Sequence, residues 1–211
     1  SAQTAALTTA QIVALTPSQA AALTTSQAAA LTTAQLQRME SADFAALGSD
    51  QLAALDTSQV AVLSTAQIRA LTPAKLAALG TDVSALGNAA VTALTNQQIA
   101  GLTTAQVEAL TTNQVSRLTS SQLASLTTAQ IQALETVDVA AISATVVAGF
   151  TTAQIAALST DQVKAFTTGQ IARLDAADVG AFNTAQLIAL GSDQIGALTA
   201  AQFAGLGSTQ V

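Results

Sequence analysis

A leucine, or a close substitute, returns every eight residues along this chain: Leu7, Leu15, Leu23, Leu31, Met39, Leu47, Leu55, Leu63, Leu71 and Leu79. One step of seven leads to Leu86, and the eight-residue step then resumes through Leu94 and Leu102 to Leu198 and Leu206. A second apolar column lies five residues after the first, at Ile12, Leu36, Phe44, Leu52, Val60 and Ile68, continuing to Phe203 and Val211. The consensus is Leu-Thr-Thr-Ala-Gln-Ile-Ala-Ala, in about 26 copies. A period of eight is awkward for regular structure. On a continuous α-helix it advances about 80° beyond two turns, so the leucines would circle the helix and leave no fixed apolar face. Pro17 and Pro73 would also break such a helix. On a strand, two columns five apart point to opposite faces, and the Ala, Gln and Leu content is poor for strands.

A succession of very short helices accounts for every position. The first Thr of the octad is an N-cap, and the Gln three residues later completes a capping box. The Leu before the cap and the Ile after the Gln form a hydrophobic staple. Pro17 and Pro73 both fall at the first helical position, where proline is suited. The charges follow the same frame. Of the 12 acidic residues all but Glu108 lie at the cap or in the first turn, among them Glu40, Asp43, Asp50, Asp56, Asp161, Asp175 and Asp178. Of the six basic residues all but Lys75 (Arg38, Arg69, Arg117, Lys164 and Arg173) fall in the last turn. That is the distribution the helix dipole favours.

A helix of two turns does not stand alone, because nucleation costs more than so few hydrogen bonds return. Neighbouring octads must bury the Leu and Ile columns against one another, with alanines allowing close approach. The expected fold is all-α: an α-solenoid, or superhelix, of about 26 very short capped helices, elongated and held together by nearest-neighbour contacts. No linker interrupts residues 1–211, so a single continuous array is expected. The pattern is irregular at 79–91, where one residue and then a Gln are lost, and at 142–150, where Val146 replaces the Gln. Local bends or looser turns are expected at both. The number of helices per superhelical turn stays open. Phe150, Phe166 and Phe182 recur at every second octad, which fits a two-helix turn or three independent Leu-to-Phe changes.

Composition excludes much chemistry. The chain has no Cys, no His and no Trp or Tyr, so thiolate and imidazole metal sites, His-assisted nucleophiles and disulfides are out of reach. The net charge of −6 and the scattered basic residues argue against nucleic acid. Thr and Gln interrupt every apolar stretch, so no membrane span is expected. The carboxylate pairs Glu40/Asp43, Glu135/Asp138 and Asp175/Asp178 have the residue types of acid–base pairs or calcium ligands. Their spacing is that of the cap and the box position, with Asp in place of Gln, and the converging oxygens and glycine turn of a calcium loop are missing. The expectation is no catalytic, cofactor-binding or metal residue, no cofactor, and no enzyme.

The phrases LTTAQIVAL (Leu7–Leu15), LTTAQVEAL (Leu102–Leu110) and LTTAQIQAL (Leu126–Leu134) resemble the tandem repeats of very large bacterial secreted or surface proteins, adhesin-like and biofilm-associated ones included. The resemblance covers essentially the whole chain. It implies an extracellular or cell-surface structural role and export without a cleaved N-terminal signal. LTPSQAAAL (Leu15–Leu23) also resembles the opening helix of the TAL effector repeat, but the longer period, base-reading loop and basic flanks of that family are missing, so DNA recognition does not carry over. A non-enzymatic stalk, spacer or filament-forming segment is the leading expectation. A binding module that presents a regular Thr/Gln surface to glycan or ice is the alternative. The chain lacks an initiator Met and starts and stops inside octads, at Ser1 and Val211, as a processed chain or a fragment would. Apolar columns left open at such ends would favour head-to-tail or side-by-side self-association.

Overall fold

Most octads fold as the capping frame predicts. In the octad from Leu63, Ser64 takes an extended N-cap conformation and its hydroxyl accepts from the Gln67 N–H at 3.2 Å. Gln67 Oε1 in turn accepts from the Ser64 N–H at 2.9 Å. The helix Thr65–Ala70 follows and ends at Leu71, whose backbone is again extended. Leu71 thus closes one helix and leads into the next cap, Thr72, with Pro73 at the first helical position. The same reciprocal box closes at Thr8, Thr16, Thr24, Asp56, Thr103, Thr127, Ser159 and Asn183.

The computed structural model describes residues 2–207. Ser1 and Val211, expected as open ends and Val211 also as a member of the second column, lie outside the described residues. Among the described residues there is no strand, and the chain runs through 24 α-helices and two 3-10 helices, one element to each octad. This is an all-α repeat fold of the solenoid type. The 3-10 helices, Gly80–Ala85 and Val147–Gly149, fall within the two irregular stretches. Gly80 sits in the left-handed region at φ 56°, which an L side chain would strain.

Backbone contacts gather the chain into two units, Ser1–Leu110 and Thr111–Val211. Within the first, the helix Ser41–Ala46 packs on Pro17–Ala21 and on Thr65–Ala70, each three elements away. Within the second, Thr160–Ala165 packs on Thr136–Ala141 and on Thr184–Ala189, again three elements away. Hydrogen bonds described below link residues 28 and 31 apart. Each turn of the coil therefore holds between three and four helices, and the phenylalanine spacing is not a two-helix turn. Phe150 and Phe166 instead meet edge-on through the core, with ring centroids 5.9 Å apart.

The two apolar columns line the core of each unit. The Ile column is sealed more completely than the Leu column: Ile68 and Ile155 are 0% exposed, whereas Leu71 and Leu158 are 4% exposed. Successive turns approach so closely that some last-turn alanines give way to glycine. A Cβ on Gly149 would lie 2.6 Å from the Ser120 carbonyl oxygen of the turn beneath. Arg38, Arg69 and Lys164 occupy last turns as predicted. Arg117 and Arg173 do not, because their helices, Thr112–Val115 and Thr168–Ile171, stop short of them.

Candidate functional site

The glutamine of the octad has a second task that the capping frame does not contain. Its Oε1 is held by the cap, which aims Nε2 away from its own helix and down onto the preceding turn. Gln67 Nε2 donates to the carbonyls of Leu36 at 2.7 Å and Met39 at 2.9 Å, which end the helix Thr33–Arg38. Gln162 does the same to Ile131 and Leu134, both at 2.7 Å. Gln35, Gln154, Gln170, Gln186, Gln194 and Gln202 repeat the arrangement. One side chain thereby satisfies an orphan N–H at a helix start and orphan carbonyls at a helix end in the turn below. These amides are buried, so each bond is made where an unpaired polar group is costly. Gln11 and Gln19 close the cap alone and stay exposed.

What the column requires is a donor, and Lys75 shows it. Lys75 stands where Gln is expected, and its Nζ donates to the Ala45 carbonyl at 2.5 Å. Lys75, which the short helix Pro73–Ala77 places in its last turn, is thus a substitute joint. The one-residue loss near Leu79 is largely absorbed: Gln98 reaches Ile68 and Leu71, 30 and 27 residues back, which are still the Ile and Leu positions of their octad, while Gln106 reaches the Ile-position Leu76 and then Gly80 in place of Leu79.

The carboxylate pairs follow the expected capping box unevenly. Asp175 accepts from the Asp178 N–H at 2.7 Å, and its backbone in turn donates to the Asp178 carboxyl. The Glu135 backbone donates to the Asp138 carboxyl, but the side chains of Glu40 and Glu135 make no cap hydrogen bond. An Asp in place of Gln is one methylene shorter and, ionised, has no hydrogen to give. Asp43, Asp138 and Asp178 are nevertheless buried at the joint, and Asp43 Oδ2 and Asp138 Oδ1 have no hydrogen-bond partner. Burial, and then the negative charge of Glu40, holds the Asp43 carboxyl above its usual range. Burial raises Asp138 too, against a hydrogen bond from Thr112, with Glu135 adding to the rise. Asp178 is pushed up to about 6 by burial and by Asp175. Asp56 is the contrast: as an exposed cap it accepts from the Ser58 hydroxyl and the Gln59 N–H, and its carboxyl is lowered.

Among the described residues no three acidic side chains converge where a metal ion could be held. An open hollow of about 310 Å³ lies beside Gly48, lined also by Leu23, Thr25, Ser49, Asp50 and Gln51, where the cap has no side chain. None of the described helices is long and apolar enough to cross a membrane.

No curated protein sequence matches the chain. The sequence pattern of the ALTTAQ repeat does, three times, at residues 36–73, 131–168 and 171–208. Each matched stretch opens on a carbonyl that receives a joint and contains the glutamine that makes it: Leu36 with Gln67, Ile131 with Gln162, and Ile171 with Gln202. The matches cover more than half of the sequence, tandem repeat after tandem repeat, and the chain belongs to the ALTTAQ repeat family.

Proposed function

We propose that this chain is a non-enzymatic structural segment, a stalk, spacer or filament-forming stretch of a bacterial extracellular or cell-surface protein. The observation that carries the reading is the use made of its buried polar side chains. The buried polar side chains are for the most part amides engaged in joining turns, which gives most of the array the same joint from one octad to the next. Uniform joints let such a segment be extended by adding units without new chemistry. The likeness of its LTTAQ phrases to the repeats of large secreted proteins supports the location.

The test is small-angle scattering on the chain and on its tandem duplicate, alongside antibody labelling of intact cells that make the parent protein. A spacer keeps its cross-section and grows in length with repeat number, and its epitopes are reached without permeabilisation. A duplicate that condenses into a wider particle, or labelling confined to opened cells, overturns the reading. The glycan- or ice-binding alternative draws on the exposed first-turn threonines such as Thr104, Thr128 and Thr152, which take no part in capping. A glycan array and a thermal-hysteresis measurement decide it, since a spacer is silent in both.

A further inference from the structure

Two buried joints inside the units carry a carboxyl where the array needs a hydrogen-bond donor. The register that links Gln170 to Val139 and Ile142, and Gln186 to Ile155 and Leu158, assigns Asp178 to the carbonyls of Val147 and Phe150. The same register assigns Asp43 to the carbonyls of Ile12 and Leu15. Lys75 demonstrates that the column accepts a donor other than glutamine. A neutral carboxylic acid is also a donor, whereas a carboxylate facing carbonyl oxygens repels them. We propose that Asp43 and Asp178 are proton-operated joints, which tie their turn to the one beneath when neutral and release it when ionised.

Several observations support this beyond the substitution itself. Asp43 and Asp178 are 2% and 3% exposed, and Asp43 Oδ2 is buried without a partner, the place a donated hydrogen would occupy. The surroundings offer little to neutralise a carboxylate. The helices packed on that of Asp178, Thr152–Ala157 and Ala200–Ala204, carry no charged residue, nor does Val147–Phe150. Its own cap, Asp175, adds a like charge that outweighs the backbone hydrogen bond the same residue gives to the carboxyl, and Arg173 before that cap is exposed. Around Asp43, Pro17–Ala21 carries no charge, Thr65–Ala70 carries only the exposed Arg69, and Arg38 before the cap Glu40 is exposed. The half-buried Lys75 has its Nζ bonded to the carbonyl of Ala45, in the same helix as Asp43. The sign follows from linkage. An acid whose folded value is raised stabilises fully below its ordinary value of 3.8, and that stabilisation is lost as pH rises through about 6 for Asp178. The array is tightened by mild acid and loosened near neutrality.

The experiment is hydrogen exchange on the full chain between pH 4.5 and 8, expressed as protection relative to the unfolded chain, with carbon-13 NMR titration of the aspartate carboxyls. Protection at residues 147–150 and 176–182 is expected to fall on the order of tenfold as pH rises across the range. The joint at Gln186 should show no such change. Asp178→Gln, which restores the family residue, should make protection at 147–150 independent of pH and as high at pH 8 as at pH 4.5. Asp43→Gln should do the same at residues 12–15. Protection that ignores pH in the parent chain, an equal pH response in Asp178→Gln, or an Asp178 carboxyl titrating near 4 overturns the proposal.

Discussion

Two octads of the second unit, Leu158–Phe166 and Ile142–Phe150, share a core and differ in nearly everything else. Both bury their apolar columns: Val163 and Val147 are 0% exposed, and Phe166 and Phe150 touch ring to ring. In the first, Ser159 caps a six-residue helix and Gln162 ties it to Ile131 and Leu134. In the second, Val146 replaces the glutamine, and Ser143, with no box partner, bonds to the Thr145 hydroxyl at 2.9 Å. Only the three-residue 3-10 helix Val147–Gly149 forms there. The difference separates two roles. The apolar columns are enough to keep an octad in the coil, and other residues at the box position also permit a regular helix, as in Ser41–Ala46, Asn88–Thr92 and Thr136–Ala141; the glutamine adds the bond that fixes the octad to the turn below.

If the columns hold the coil, the largest effect belongs to them. Phe166→Ala removes a buried ring and its edge contact with Phe150, and should cost about 3–5 kcal/mol in urea unfolding. A loss as small as that of a surface substitution would break the comparison at its base. Next comes the joint. Gln162→Leu keeps the volume but strands the Leu134 carbonyl and the Ser159 N–H, and should cost about 2–3 kcal/mol while the helical circular-dichroism signal changes little. A neutral result would reduce the glutamine to a passive filler. The smallest effect is a repair. Val146→Gln supplies the missing donor, and the register directs it to the carbonyls of Val115 and Leu118. A gain of about 1 kcal/mol is expected, with slower amide exchange over 143–149. A loss instead would mean that Gly149 and the tight approach to Ser120 have fixed the 3-10 geometry independently of the missing amide.

The helix frame was legible because everything that sets it lies within one octad: staple, cap, first-turn proline and box are all read at separations of five residues or fewer. The joint was not, because Gln67 meets Leu36 at a distance along the chain fixed by how many helices complete a turn, and a period of eight contains no information about that number. The phenylalanine spacing was a poor guide for the same reason, since Phe150 and Phe166 meet through the core rather than on adjacent turns. Two local anomalies did point to the hidden column. Lys75 was the basic residue out of place, and Asp43, Asp138 and Asp178 stood where glutamine was expected. The caps Glu40 and Glu135 are not legible in the same way, because the sequence spacing alone does not distinguish an aspartate at the box position from a glutamine one methylene longer.

The separation spanned by the joints has a consequence for the gene. Most buried glutamines find an Ile-position and a Leu-position carbonyl beneath them, and the regular octads present those two carbonyls alike. Duplicating or excising a whole octad would reassign only the joints that span the break, about four octads' worth, and still leave each of those amides opposite two acceptors. A whole-octad change of length therefore keeps the joints matched, whereas a change of two or three residues would put the amides that span it opposite the wrong atoms. Selection on such a gene acts on the octad as its unit of change.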